Sequence, residues 1–150
     1  MENLPFIDEH RLRVAASRAD VWDALLWLLR TQLAGPAARL KRLLGLTPAE
    51  LRGDWSATPQ PGDSLPGFEV VESVFPERLS LRGEHRFSRY ALVFELDAPG
   101  ATECTLAARS WASFPNLTGR AYRAVVIGTG GHRLAVSGML RTVARRAERA

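Results

Sequence analysis

At 150 residues, with 46% hydrophobic and 24% charged residues, the chain has the size and composition of one globular domain. Its formal net charge is +4, and 19 of its 20 basic residues are Arg. A single cysteine, Cys104, excludes an internal disulfide and a Cys-rich metal site. The longest apolar run, residues 24–29, is far shorter than the ~20 residues that a membrane span needs, so no transmembrane segment is expected.

The sequence does not indicate secretion or nucleic-acid binding. Residues 1–5 contain no basic region followed by an apolar run, so we expect no signal peptide and a cytoplasmic location. The aromatic residues occupy periodic, core-like positions rather than a basic stripe, which argues against a nucleic-acid partner. Arg141, Arg145, Arg146 and Arg149 suit the negative end of a helix, although such a group also fits acidic partners or anionic lipid.

The first predicted elements are a strand and a helix. Residues 6–14 alternate in polarity, which predicts a strand that buries Phe6, His10, Leu12 and Val14 on one face. Ser17 then caps a mostly apolar helix that runs to about residue 32. Gly and Pro at 35 and 36 end it, and a second short helix is predicted at 37–44.

An ordered loop and a run of strands follow. Residues 53–67 are rich in Pro, Gly and Asp, and Trp55 within them either covers a pocket mouth or pins the loop to the body. Strands are predicted at 68–75, 78–82, 85–97 and 102–114, and their short connections favour antiparallel hairpins. Phe87 has the wrong parity for its strand, which predicts a bulge near Ser88 or Arg89. The inward faces of the last two strands are predicted to carry Tyr90, Leu92, Phe94, Leu96, Cys104, Leu106, Ala108, Ser110, Ala112 and Phe114.

Residues 116–150 predict one long helix interrupted by a Gly-rich patch. Its apolar arc carries Tyr122, Val125, Val126, Thr129, Val136, Met139, Leu140, Val143, Ala144 and Ala147. His132 and Arg133 fall within or beside this arc, where a polar group needs a partner if it is buried. Small residues on the helix, Gly128, Gly130 and Gly131, face small residues on the last strand, and this pattern either allows close packing or leaves room between the two elements.

The order of these elements resembles the START-like superfamily, also called SRPBCC or Bet v 1-like, and in particular its bacterial members. The resemblance covers nearly the whole chain and is carried by residues 15–25, by the strand pair 70–83, and by the words Leu117-Thr118-Gly119-Arg120-Ala121-Tyr122, His132-Arg133-Leu134 and Met139-Leu140. It implies a single domain, 1–150, with an α+β helix-grip fold. In this fold a curved antiparallel sheet wraps around a long C-terminal helix, and two short helices follow the first strand. The family prefers seven strands and five are predicted here, so a missing strand is expected within 53–67 or by splitting a long strand.

The resemblance implies a cavity between the sheet and the last helix that holds an apolar or amphipathic small molecule, or a lipid, without a cofactor. The residues predicted to line it are Tyr90, Leu92, Ser110, Ala112, Tyr122, Val125, Thr129, His132 and Arg133. Three functions stay open: binding of such a molecule, a polyketide cyclase or dehydratase type of enzyme, and an interaction protein with a closed core. A homodimer is left open as well.

For the enzyme hypothesis, the catalytic candidates are His132 and Tyr90, with Arg133 or Arg109 holding an enolate. A neutral imidazole both donates and accepts hydrogen bonds, and its reference pKa of ~6.5 suits acid–base work. The alternative is that His132 and Tyr90 are satisfied core residues and that Arg133 extends to water. The histidines come from different predicted elements without ligand spacing, so no metal site is predicted.

Overall fold

The computed structural model describes residues 3–33, 45–128 and 130–150. The predicted short helix at 37–44 and the predicted site residue Thr129 lie outside the described residues.

Six strands form one antiparallel sheet within the described residues. They are β1 (Phe6–Val14), β2 (Ser64–Leu65), β3 (Phe68–Val74), β4 (Arg78–His85), β5 (Ser88–Gly100) and β6 (Glu103–Ser113). Their order is β1-β6-β5-β4-β3-β2, so consecutive strands from β2 to β6 are neighbours and β1 returns beside β6. The predicted antiparallel hairpins are confirmed, and β2 is the strand expected within the loop at 53–67.

Three helices are described: α1 (Arg18–Leu33), α2 (Leu117–Val126) and α3 (Gly131–Glu148). The predicted cap of α1 is confirmed, because the Ser17 Oγ accepts a hydrogen bond from the backbone N–H of Asp20 at 3.1 Å. Helix α3 packs against α1 and β1. Its buried face, which includes Val136, Leu140 and Val143, belongs to the same core cluster as the apolar face of α1.

This architecture confirms the predicted α+β helix-grip fold, in which a curved antiparallel sheet holds a long C-terminal helix. The core lies between the sheet, α1 and α3. Trp22, Leu25 and Phe94 are among its largest fully buried side chains. Burial of this apolar surface, at about 25 cal/mol per Å², is the main force that holds the layers together.

The last third of the chain forms two helices rather than the predicted single interrupted one. Gly130 adopts a φ of 78°, in the left-handed region that glycine enters without steric cost. A residue in this conformation cannot continue a right-handed helix, so α3 begins anew at Gly131. The apolar arc that the sequence predicts across both segments is therefore broken at this point.

Two parity predictions are wrong. In β1, Phe6 pairs with Trp111 and Asp8 pairs with Ser110, so Ile7 is an extra residue in a bulge. Phe6 is consequently 57% exposed and packs against Trp111. Phe87 needs no bulge, since it lies outside β4 and β5, in the two-residue turn between His85 and Ser88 that joins them.

The loop before β3 is fixed to the body of the domain. This agrees with the second of the two roles considered for Trp55, which is to pin the loop rather than to cover a pocket mouth. Trp55 is buried, and its Nε1 donates a hydrogen bond to the backbone oxygen of Arg52 at 3.0 Å. Farther along, the backbone N–H of Gly67 donates to the carbonyl oxygen of Pro48 at 2.7 Å. Because Trp55 belongs to the same core cluster as the apolar face of α1, its side chain pins the loop to the body. None of the helices in the described part of the chain is both long enough and apolar enough to cross a membrane.

Candidate ligand-binding site

A cavity of about 310 Å³ lies between the sheet and helices α2 and α3. This volume is at the lower end of the ~300 to 1,000 Å³ that is usual for small-molecule sites. The walls are predominantly apolar and aromatic, with a few polar groups. They are formed by Ile7, Leu29, Phe68, His85, Ser88, Tyr90, Ala91, Leu92, Ser110, Trp111, Ala112, Phe114, Tyr122, Val126, Ile127, His132, Ala135, Val136 and Met139.

The two halves of β6 explain where the cavity lies. Cys104, Leu106 and Ala108 are fully buried in the core cluster, to which α1 also contributes. Farther along the same strand, Ser110 and Ala112 line the cavity. Their side chains are too short to fill the space below α2 and α3. The small residues of β6 therefore pack closely at one end of the sheet and leave room at the other.

The structure brings six of the predicted lining residues to the cavity and leaves two outside it. Tyr90, Leu92, Ser110, Ala112, Tyr122 and His132 lie in its wall. Val125 is 65% exposed, and Arg133 is exposed as well. In α2 the cavity side is occupied by Tyr122 and Val126, which are four residues apart, and Val125 is turned by about 100° from Val126. Because the helix is interrupted at Gly130, the apolar face of α2 does not continue to Arg133 in α3.

Tyr90 lies in the wall with its hydroxyl already bonded. The hydroxyl donates a hydrogen bond to the carbonyl oxygen of Gly67 at 2.8 Å, and the ring packs edge to face on Phe68. Burial raises the pKa of Tyr90 far above its usual value near 10. The phenol is therefore neutral at physiological pH, and its O–H group donates the hydrogen bond that holds the loop before β3. This arrangement is the one expected of a core tyrosine rather than of a catalytic acid.

An aromatic group anchors α2 over the cavity. Tyr122 stacks on Phe87 with ring centroids 5.5 Å apart, and it meets the His85 ring at 5.1 Å. Gly119 lets the helix approach closely, since a Cβ at that position would be 2.6 Å from the Phe87 carbonyl oxygen. Burial lowers the pKa of His85 below its ordinary value of 6.5, so its neutral form is favoured within this apolar group.

On the opposite side, His132 of the cavity wall belongs to a polar group whose other members, Asp8, His10 and Ser137, lie outside the wall. The His132 Nε2 lies 3.2 Å from Asp8 Oδ1, and the His10 Nε2 lies 3.1 Å from Asp8 Oδ2. The Ser137 Oγ lies 3.4 Å from His10 Nδ1. The Asp8 side chain is only 11% exposed. One carboxylate thus joins a histidine of β1 to a histidine of α3 and holds the first turn of α3 on the sheet.

Ser110 stands beside this group. It is the cross-strand partner of Asp8, it is 5% exposed, and it lines the cavity. Its Oγ has no hydrogen-bond partner among the described residues. Most buried hydroxyls in proteins are hydrogen-bonded, and the Ser110 hydroxyl is one of the exceptions among the described residues.

Arg109 does not reach the cavity, because it lies on the other face of the sheet. Its Nε is 2.5 Å from Glu9 Oε2, and its Nη1 is 3.1 Å from Glu95 Oε2. Hydrogen bonds from Arg11 and Arg109 hold the pKa of Glu9 below its usual range. Arg78 continues the row, 2.7 Å from Glu95. Arg109 therefore belongs to a surface ladder of alternating charges and not to the enolate-holding role considered from the sequence.

No protein-family model matches the sequence, and a search of curated proteins finds no match. Solved structures do match over nearly the whole chain. A conserved protein from Geobacillus kaustophilus is 18% identical, with a TM-score of 0.58 over 94% of both chains. The Zhui aromatase/cyclase from Streptomyces sp. R1128 is 15% identical, with a TM-score of 0.58 over 95% of this chain and 93% of that one. Truncated norcoclaurine synthase from Thalictrum flavum is 13% identical, with a TM-score of 0.54 over 97% and 96%.

The chain has the START-like (SRPBCC) fold. Since these identities are all below 25%, the likeness concerns the fold, and the site is argued from its own residues. Within this START-like fold, sequence reasoning missed Asp8 and His10. Asp8 has the same parity in β1 as His10, but it is 124 residues from His132, and no local sequence signal indicates that α3 packs against this strand. The described residues contain no group of three or more His, Cys, Asp or Glu side chains placed to hold a metal ion.

Proposed function

We propose that the protein binds an apolar or amphipathic small molecule in the cavity between the sheet and helices α2 and α3. The observation that carries this proposal is the cavity itself, about 310 Å³ in volume, with a predominantly apolar wall and a few polar groups. Such a combination is typical of small-molecule sites, where apolar surface supplies affinity and the polar groups fix orientation.

A ligand is expected to bind here because the side chains around the cavity lack packing neighbours on one side. Protein interiors are normally close-packed, and side chains beside a void lose the dispersion contacts that neighbours would supply. An apolar molecule restores these contacts and removes its own surface from water, at about 25 cal/mol per Å². The closed-core alternative lacks this support, because the small side chains of Ser110 and Ala112 leave the space between the layers unfilled.

Two adjacent valines provide a matched test. Val126 lines the cavity, whereas Val125, its neighbour in α2, is exposed. The apolar fluorescent probe N-phenyl-1-naphthylamine should bind the wild-type protein with increased emission. Val126→Trp should abolish this binding by filling the cavity, and Val125→Trp should retain it. Equal binding by both variants would place the probe elsewhere and refute the proposed site.

Mass spectrometry of the gently purified protein identifies any molecule that remains bound. Native conditions should show a stoichiometric mass addition, and denaturing conditions should release it as an apolar or amphipathic compound. If the wild-type protein carries such a molecule, the Val126→Trp variant should lack it and Val125→Trp should keep it. A compound retained equally by both variants would not be bound in this cavity.

Acid–base catalysis on the bound molecule is a second candidate function. It is favoured by the Asp8–His132 contact of 3.2 Å, because a histidine oriented by a carboxylate is a common general base. It resembles the cyclase or dehydratase hypothesis, with Asp8 rather than Tyr90 beside His132. If the co-purified compound is a substrate, incubation with the wild-type protein should convert it faster than incubation with Asp8→Asn. Equal rates would remove this candidate.

A further inference from the structure

The charged side chains of this protein are unevenly distributed along the chain. Residues 1–103 carry 12 basic and 15 acidic side chains, a formal charge of −3, whereas residues 104–150 carry eight and one, a formal charge of +7. Residues 110–147, which include α2 and all of α3 except its last residue, contain six arginines and no Asp or Glu. The net positive charge is therefore concentrated in the helices that follow the sheet.

The arginines of the strands are neutralised by neighbouring carboxylates, and those of the last two helices are not. The strand pairs are Arg11–Glu9, Arg13–Glu103, Arg78–Glu72, Arg82–Glu69, Arg89–Glu84 and Arg109–Glu95. The exposed arginines of α2 and α3 that form no ion pair or side-chain hydrogen bond with the described residues are Arg120, Arg123, Arg133, Arg141 and Arg145. Their positive charge is left without a counter-charge in this part of the structure.

Three aliphatic side chains are exposed on the same two helices. Leu117 is 80% exposed, Leu134 is 72% exposed and Val125 is 65% exposed. Side chains of this kind gain free energy when their surface leaves water, at about 25 cal/mol per Å². Exposed aliphatic groups interspersed with arginines are typical of helices that lie in the interface of a membrane.

Both helices turn these groups away from the cavity. An α-helix turns by about 100° per residue, so Leu117 in α2 points about 180° from Val126, which lines the cavity. In α3, Leu134 points about 160° from Val136, another residue of the cavity wall. Arg141 follows Leu134 after seven residues and shares its face. The exposed aliphatic groups and the arginines beside them therefore face away from the sheet.

We propose that this surface docks on a membrane that contains anionic phospholipids. We name it the basic helical face, and its residues are Leu117, Arg120, Arg123, Arg133, Leu134, Arg141 and Arg145. A guanidinium forms charge-assisted, often bidentate, hydrogen bonds with a phosphate group, and the leucines leave water at the boundary between headgroups and acyl chains. This inference goes beyond the proposed binding function and does not depend on a guest in the cavity.

The chemistry of the face favours a lipid surface over a nucleic acid. Proteins that bind nucleic acids through a basic surface commonly stack bases on exposed aromatic rings. Tyr122, the only Phe, Tyr or Trp in α2 and α3, lies in the cavity wall. A nucleic acid would therefore neutralise the arginines without covering Leu117 and Leu134, whereas a membrane interface accommodates both kinds of side chain.

Vesicle flotation tests the docking directly. The wild-type protein should float with vesicles of phosphatidylcholine and phosphatidylglycerol, and it should not float with vesicles of phosphatidylcholine alone. Salt at 1 M, where the Debye length is ~3 Å, should weaken the binding to the anionic vesicles. A protein that binds neither kind of vesicle, or binds both equally, would overturn the inference.

Two double variants of equal net charge separate the basic helical face from the charge of the whole protein. Arg120→Gln/Arg123→Gln should lower the affinity for the anionic vesicles by about 10- to 30-fold, because each arginine near an anionic surface contributes about fivefold. Arg82→Gln/Arg89→Gln removes the same charge from the strands and should change the affinity little. Circular dichroism should show both variants folded, and equal losses of binding in the two would contradict the assignment of the face.

An environment-sensitive fluorophore reports whether Leu117 enters the interface. Cys104 is fully buried, so the fluorophore NBD attached to the Leu117→Cys protein under native conditions labels position 117. Its emission should increase and shift to the blue on anionic vesicles, while NBD at Thr102→Cys, in the turn between β5 and β6, should not respond. Binding of duplex DNA or polyglutamate without a response of the label at position 117 to vesicles would identify an acidic polymer as the partner and overturn the membrane proposal.

Discussion

Gly83 of β4 is the position where one added methyl group should have the largest effect on the loop before β3. A Cβ at Gly83 would lie 1.8 Å from the carbonyl oxygen of Gly67 and 2.9 Å from Cε2 of Tyr90. The Gly67 carbonyl accepts the hydrogen bond of the Tyr90 hydroxyl at 2.8 Å. Gly83→Ala therefore cannot be accommodated unless this backbone segment moves away from the sheet.

The required movement sets the cost. Carbon and oxygen atoms that are not bonded normally approach to no less than about 3.3 Å, so the Gly67 carbonyl must retreat by roughly 1.5 Å. That displacement breaks the Tyr90 hydrogen bond and leaves a buried hydroxyl and a carbonyl without partners. With the accompanying loss of loop packing, we expect the free energy of unfolding to fall by about 2–4 kcal/mol. The melting temperature should fall on the order of 10 °C for a chain of this size.

Urea denaturation followed by circular dichroism measures this effect, and Gly138→Ala is the control. No atom lies within 4 Å of a Cβ built on Gly138, which is inside α3, so the same substitution there should stabilise the protein by up to about 1 kcal/mol. Tyr90→Phe should add almost nothing to Gly83→Ala, because the first substitution has already broken the shared hydrogen bond. A Gly83→Ala protein as stable as wild type, or fully additive effects, would refute this reasoning.

Three further predictions concern charge. Burial raises the pKa of Tyr90, so above pH ~10 this group ionises in the unfolded chain first and the free energy of unfolding of the wild-type protein should fall. The difference in free energy of unfolding between wild type and Tyr90→Phe should therefore be smaller at pH 10.5 than at pH 8 in urea titrations. Burial lowers the pKa of His85, so the protein should lose stability as the pH falls below ~6.5. Between pH 7 and 5, the free energy of unfolding should fall less in His85→Phe than in wild type, and an identical fall would show that His85 is not responsible. Arg109→Met should destabilise the protein, because Glu9 and Glu95 lose the guanidinium between them. The loss in free energy of unfolding should be smaller in 1 M salt, where the Debye length is ~3 Å, and a loss independent of salt would indicate lost packing instead.

Hydrophobic periodicity is sufficient to predict most of the fold. The alternation of β5 and β6 places Phe94, Leu96 and Leu106 in the core, where the structure finds them. The Ser17 cap and the glycine-rich break near Gly130 are local signals, and each corresponds to a feature of the structure. These predictions succeed because each depends on the residue and its near neighbours in the chain.

The site is less predictable because it depends on contacts between distant residues. The Asp8–His132 contact joins residues 124 positions apart and needs α3 to pack against β1, which has no local sequence signal. Val125 and Val126 are equally apolar, and only the docking of Tyr122 on Phe87 determines which of them turns to the cavity. Tyr90 is placed correctly by its parity, but its bond to Gly67 depends on a loop that periodicity does not position.

The β1 bulge also affects how much room the cavity has. Ile7 is the extra residue, and with it the phenyl ring of Phe6 lies outside against Trp111 while Ile7 lines the cavity. If β1 kept Ile7 but paired regularly beyond Asp8, Ile7 would lie opposite Trp111 and Phe6 opposite Ala112 on the inner face, where an aromatic ring would take the place of a guest molecule. The irregular pairing at Ile7 therefore keeps the ring of Phe6 out of the space that a guest molecule would occupy.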